Sequence, residues 1–272
     1  MVSLPPDKSP ADLTPVQLRI LCRAGSLSSP TAGYARGFAQ ANLVVLPVEH
    51  ADAFARFCKA NPKPCPLLEV LPPGAFEPVR CAPGADLRTD LPRYRVLEHG
   101  RCVQWPTDVT PLWRPDFVAF LIGCSFTFEW ALSALGVPVR HVEEGRNVPM
   151  FRTDRPCVSV PPFAGPLVVS MRPLTPADAK RAAHITAAFP DVHGGPVHAG
   201  DPAALGIGDL SHPHYGDAVT IKPGEIPVFW ACGVTPMEAI LAARLPLAIT
   251  HEPGHMFVTD IPNEALRRES PE

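Results

Sequence analysis

The chain has 272 residues, 46% of them hydrophobic, which is enough for one large domain or two small ones with a buried core. Its formal net charge of −3 offers no basic stripe to a nucleic acid, and no apolar run is long enough to span a membrane. The opening residues, MVSLPPDKSPADLTP, have neither the basic nor the apolar region of a secretory signal, so a soluble cytoplasmic protein is expected.

Thr14 and Pro15 mark a helix start, with Thr14 as the cap and proline in the first turn. The helix is expected to run to about Arg23 and stop at Gly25. "ANLVVLP" reads as a short buried strand. Residues 49–60 carry a helical pattern ended by Asn61-Pro62, and "LLEVL" is a second short strand. Residues 94–105 predict a hairpin turning at His99-Gly100.

"FVAFLI" (117–122) is a continuous apolar run, the pattern of a fully buried strand. The turn "GCS" follows, then the helix FTFEWALSAL, a stop at Gly136, and "VPVRHV" as a further strand. Near the other end, "IPVFWA", "CGVT", PMEAILAAR and "PLAIT" repeat the order strand, turn, helix, strand. The alternation predicts an α/β fold with a largely parallel sheet. Between the two units lie a strand "PLVVSM", a helix from Thr175 to about Phe189, and loops rich in Gly, Pro and His. Residues 1–145 and 225–272 are therefore expected to form a discontinuous main α/β domain, with 146–224 an inserted smaller one.

Each of the two units places a cysteine, Cys124 or Cys232, where a strand ends and a helix begins. Ligands in open α/β sheets bind beyond the carboxyl ends of strands. A helix N-terminus attracts anions and lowers a thiol's pKa. Gly233, like Gly123, permits a tight turn and close approach of a ligand, and Ser125 and Thr235 stand in the same turns. The segment VHGGPVHAGDPAALGIGDL supplies His193, His198, Asp201 and Asp209, residue types suited to proton transfer near neutral pH. THEPGHMFVTD adds His251, His255 and Asp260 to a loop that Pro253-Gly254 keeps from being a helix, which excludes a zincin-like pair. Arg172 at a strand end is suited to binding a carboxylate, and Glu129 lies early in the helix after Cys124.

The eight cysteines show no CxxC spacing and no histidine spacing matches a metal signature, so neither a disulfide framework nor a metal site is expected. No GxGxxG follows a strand, and neither GxxxxGK[ST] nor GxSxG occurs, which predicts no dinucleotide, no P-loop and no α/β-hydrolase triad, and no cofactor is expected. The 36 prolines, against a usual share of roughly 5%, are spread through patterned sequence and point to an ordered, loop-rich fold.

The motifs GCSFTFE, NVPMFRT, GPLVVSMRP, HGGPVHAGDP, GIGDL, YGDAV, PVFWACGVTP and ITHEPGHMFVTD together resemble a hydro-lyase family related to the N-terminal part of mitochondrial D-glutamate cyclase. GYARGFAQANLVVLP, NPKPCPLLEV and DLRTDLPRYRV fit it too, so the resemblance covers about 15–261. It implies a three-layer α/β/α main domain with a smaller two-layer α/β part. It also implies loss of water from a small acid. The family usually reads GVTPQ, whereas Met237 follows Pro236 here.

The expected protein is a hydro-lyase acting on a small carboxylate, with D-glutamate cyclising to 5-oxoproline as the concrete example and a homodimer as a possible assembly. Arg172 and the helix N-termini would anchor the carboxylate, and His193, His198 or Asp201 would move protons. Cys124 or Cys232 could do either, or act as nucleophile. The alternative is a non-catalytic protein that binds or senses small carboxylates.

Overall fold

The computed structural model describes residues 9–268; the two ends of the expected main domain lie outside them. The fold is α/β, built on two sheets. Every strand pairing in both is antiparallel, which corrects the expectation of a parallel sheet.

Helix α1 (Pro15–Arg23) opens as its sequence requires. Thr14 Oγ1 accepts from the Gln17 N–H at 3.2 Å, and Gln17 Oε1 accepts from the Thr14 N–H at 3.1 Å. Strand β1 (Phe38–Pro47) leads into α2 (Val48–Ala60), followed by β2 (Leu67–Val70). The expected hairpin forms from β3 (Tyr94–Glu98) and β4 (Arg101–Gln104). His99 and Gly100 both take positive φ, 49° and 78°, as a tight two-residue turn demands. After β5 (Phe117–Gly123) come α3 (Phe126–Ala134) and α4 (Arg140–Glu143). The expected strand VPVRHV is therefore irregular chain over 137–139 and a short helix from Arg140. Arg140 is drawn out of any ladder by Glu225 and the Thr220 carbonyl.

The chain continues through β6 (Met150–Pro156), β7 (Pro166–Leu174), α5 (Pro176–Ala187) and the two-residue β8 (His198–Ala199). It ends with β9 (Ile226–Ala231), α6 (Thr235–Ala243), β10 (Ala248–His251) and β11 (Phe257–Pro262). The larger sheet has the order β2-β5-β1-β10-β3-β4, with β11 also on β1; the smaller has the order β6-β7-β9-β8.

This topology explains why helical crossovers coexist with antiparallel pairing. The chain leaves β5 in the larger sheet, passes α3, and next pairs as β6 in the smaller. It leaves β9 in the smaller sheet, passes α6, and pairs as β10 in the larger. Each helix joins two sheets, so the parallel crossover rule, which concerns strands of one sheet, does not apply. Strand β9, expected in the main domain, belongs to the second sheet.

Apart from Gln40 and Asn42 near the start of β1, the central strands β1 and β5 are apolar because both their faces are covered. Ala41, Leu43, Val45, Phe117 and Leu121 face the 71–112 segment, while Val44, Leu46, Phe120 and Ile122 face Phe54 and Phe57 of α2. The smaller sheet packs Val228 and Trp230 against α3 and α5 on one face, and Phe229 with Met171 and Phe151 on the other. Among the described residues no helix is long and apolar enough to cross a membrane.

Candidate active site

The two cysteine turns lie where the sequence put them, Cys124 between β5 and α3 and Cys232 between β9 and α6. Because each helix bridges the sheets, the turns come together. Both thiols pack in one buried cluster with Phe126, Met150, Val168, Met237 and Met256. Asn42 of β1 links them. Its Nδ2 donates to the carbonyls of Ile122 and Gly123, at 3.2 and 2.8 Å. The same amide sits against Gly233, where a β-carbon would lie 2.0 Å from Nδ2. Glycine at 233 is thus required by close approach.

Burial pushes the Cys232 thiol up to about 11, although the Val234 N–H and the charge of Arg172 pull it down. Burial raises Cys124 as well. This corrects the expectation of a lowered pKa: desolvation outweighs the helix N-terminus, and both groups are neutral thiols at pH 7. Iodoacetamide at neutral pH should therefore label the more accessible Cys102 of β4 before Cys124 or Cys232. Labelling of Cys232 should accelerate only as the pH climbs toward 11. Peptide mapping over time checks this, and rapid labelling of Cys232 at neutral pH would contradict it.

Beside the thiols lies a buried ion network. Arg172 on β7 donates from Nε to Glu129 at 3.1 Å, and its Nη2 also donates to Glu129. Further donations reach Ser125 Oγ and Ser170 Oγ, each at 3.1 Å. The guanidinium carbon is 5.5 Å from the Phe128 ring centroid and 5.2 Å from that of Trp230. His141 Nε2 stands 3.2 Å from Glu129 Oε1. Burial raises the Glu129 carboxyl, but the charges of His141 and Arg172 outweigh it and hold the pKa below the ordinary value. Arg172 is 0% exposed. The guanidinium and carboxylate expected to meet a substrate hold each other instead.

The histidines separate into different environments. His193 lies in a loop that packs on Gly123, where a β-carbon would be 2.1 Å from the Asp191 carbonyl oxygen. Its Nδ1 is 2.9 Å from the Lys63 carbonyl, so Nδ1 carries the proton and Nε2 keeps a lone pair. Among the described residues Nε2 is buried without a hydrogen-bond partner, and burial lowers the imidazole to about 4. His198 is on the other face of the smaller sheet. Its ring stacks on Phe229 at 5.9 Å, while Arg172 lies on Trp230, the next residue of β9, whose side chain points the opposite way. Its Nε2 is bound to the Asp201 carbonyl, and the Asp201 carboxylate caps a turn by accepting from Ala203 N–H. Asp209 accepts from Ser211 and pairs with His212 in an exposed loop. The structure therefore does not bring His198, Asp201 or Asp209 to the thiols.

Thr235 fastens α6 to β7 through the Val168 backbone, and Asp260 fastens β11 to α1 through two 3.0 Å contacts with Arg19. His251 is buried against the Leu43 backbone, and burial lowers it to about 4. His255 lines a cavity of about 360 Å³ with Arg95, Glu252, Tyr215 and Asn147. A smaller cavity of about 100 Å³ reaches Glu129 past Phe126 and Gln40. Among the described residues, no three His, Cys, Asp or Glu side chains gather as a metal ion would need.

Sequence reasoning missed Asn42, His141, Arg95 and Tyr215. Asn42 did carry a signal, an amide inside the apolar run ANLVVLP. Nothing in spacing separates Arg95 from surface arginines.

The family model for D-glutamate cyclase matches residues 118–260, more than half of the chain, and spans both cysteine turns. The chain belongs to the D-glutamate cyclase family. It is 62% identical to a "Putative hydro-lyase" of Rubrobacter xylanophilus, over 88% of this chain and 92% of that one. Proteins of the same description from Stutzerimonas stutzeri and Bacillus licheniformis are each 55% identical. The match covers 94% of this chain and 96% of the first, and 93% of this chain and 97% of the second. A nitrogen repressor-like protein of Methanococcus jannaschii aligns over 90% of this chain and 97% of its own, but at 9% identity and a TM-score of 0.33. Membership of the D-glutamate cyclase family makes the chain a lyase-family enzyme, in agreement with the motifs that resembled one.

Proposed function

We propose that the protein is a cytoplasmic, metal-independent hydro-lyase that removes water from a small carboxylate, and that D-glutamate, closing to 5-oxoproline, is its substrate. The observation that supports this most is the meeting of both cysteine turns in one buried cluster beside the Glu129–Arg172 pair.

In the reaction the amine nitrogen attacks the side-chain carboxyl carbon. A nitrogen–carbon bond forms and a carbon–oxygen bond breaks. The ammonium group loses two protons, and both depart with the oxygen as water, so the enzyme relays protons without net gain or loss. The bare Nε2 of His193 is the group suited to accept the first. A neutral thiol, Cys232 or Cys124, is suited to protonate the departing oxygen. The N-termini of α3 and α6, which begin just after these cysteines, favour negative charge building on the tetrahedral oxygen.

Incubation of the pure protein with D-glutamate, L-glutamate and a panel of hydroxy-acids, followed by mass detection of water loss, tests the reading. Formation of 5-oxoproline from D-glutamate with a bell-shaped pH dependence is expected. Absence of water loss from every compound, with the protein folded, would contradict it.

A further inference from the structure

We propose that Arg95, not Arg172, anchors the substrate carboxylate, in the cavity it shares with Glu252, Tyr215 and His255, and that Met237 leaves its guanidinium free to do so. This deepens the reading above by naming the anchor of the same site.

A carboxylate needs a cation with donors left over and open space in front of it. Arg172 has neither: its three nitrogens donate to Glu129, Ser125 and Ser170, two aromatic rings flank it, and it is fully buried. Arg95 has both. Its side chain is 17% exposed and lines the cavity of about 360 Å³. Ligand pockets run from roughly 300 to 1,000 Å³, so this cavity has the size and the one beside Glu129 does not.

The guanidinium already shows the geometry a carboxylate would take. Nε and Nη2 donate side by side to the two oxygens of Glu252, at 2.5 and 2.8 Å. Among the described residues the remaining nitrogen, Nη1, donates to the sulfur of Met237 alone, at 3.8 Å, and a thioether is a weak acceptor; the Tyr215 ring lies on one side of the guanidinium, 5.5 Å from its carbon. An incoming carboxylate can take Nη1 at once, or displace the internal carboxylate. Glu252 and Asp217, both on the cavity wall, offer negative charge to an ammonium group on the same ligand. Cation and carboxylates facing one space suit an amino acid.

The cavity borders the cluster that holds the thiols. Met237 packs in the cluster that contains Cys124 and Cys232, and Tyr215 packs against that cluster while lining the cavity. A ligand held on Arg95 therefore lies against the side chains that cover the thiols.

Calorimetric titration with D-glutamate, its α-amide, and a panel of small mono- and dicarboxylates tests this, alongside melting temperature. Glu252→Gln should tighten binding of the ammonium-free mono- and dicarboxylates severalfold, because the competing internal carboxylate is gone. Arg95→Gln should weaken it by at least about tenfold, the scale of a lost charge-assisted hydrogen bond, and erase the preference for D-glutamate over its α-amide. Arg95→Gln leaves Glu252 unpaired, so the double variant Arg95→Gln/Glu252→Gln is the control for folding and should show the same loss. Met237→Gln should weaken binding, since an amide accepts the spare N–H. A double variant that binds carboxylates like the parent would overturn the proposal. So would a Glu252→Gln protein that melts earlier with unchanged affinity for the ammonium-free carboxylates, the mark of a purely structural ion pair, or a parent protein that binds no carboxylate in the panel. Binding through Arg95 without any water loss would leave the anchor standing and remove the proposed reaction.

Discussion

Replacing Arg172 with methionine is expected to destabilise the protein by about 3–5 kcal/mol, because a buried charge then loses its partner. Glu129 is 5% exposed and receives two of the guanidinium's donations. His141, 3.2 Å away, remains but cannot replace both. For a chain of this size each kcal/mol moves the melting temperature by about 2–4 °C, so a fall of about 6–20 °C should be seen. The pH dependence has a definite sign. The folded Glu129 pKa is held below the ordinary carboxylate value, so the pair's stabilisation is present at neutral pH and is lost as the pH falls through the folded value. The gap between the parent and Arg172→Met should therefore be widest near neutral pH and close under acid. The double variant Arg172→Met/Glu129→Gln removes both charges and should recover much of the loss. A single variant that melts with the parent, or a double variant no better than the single, would contradict a tightly coupled pair.

Local structure was legible where a residue type has one physical use. Thr14-Pro15 gave away a helix start, and His99-Gly100 a tight turn. The ends of β5 and β9 were marked by Gly123-Cys124 and Cys232-Gly233, so the two strand-to-helix turns could be found from the chain alone. The pairing of strands was not legible. The succession of β9, α6 and β10 is the same whether the second strand joins the first sheet or another, and here it joins another. The acidity of the thiols was misjudged for a related reason. Spacing reveals a helix N-terminus, but the depth of burial that outweighs it comes from Val168, Met150 and Met256, far away in sequence. The placing of His198 was also not legible. Alternation along a strand shows that neighbours face opposite ways, but not which face holds the site, and Phe229 holds His198 on the face away from Arg172. The role of Arg172 was hidden because its partner, Glu129, lies on a helix in the other half of the motif set.

Cys232→Ala carries the largest expected effect on activity. If the neutral thiol supplies the proton to the departing oxygen, its removal takes away general acid catalysis, a loss of roughly 10²–10⁴-fold in turnover. The structural cost should be small, on the order of 1 kcal/mol, because one sulfur in a turn leaves little void. Cys124→Ala should behave similarly if the two thiols share the work, whereas Cys102→Ala, at the edge strand β4, should leave turnover unchanged. A packing role for Cys232 would instead lower stability and activity together. The most direct measurement is the rate of 5-oxoproline release from D-glutamate by the parent and by Cys232→Ala, each at a temperature well below its own melting transition. A fall of roughly 10²–10⁴-fold in a variant that remains folded is the expected result; turnover close to that of the parent would contradict a site in which this thiol does the chemistry.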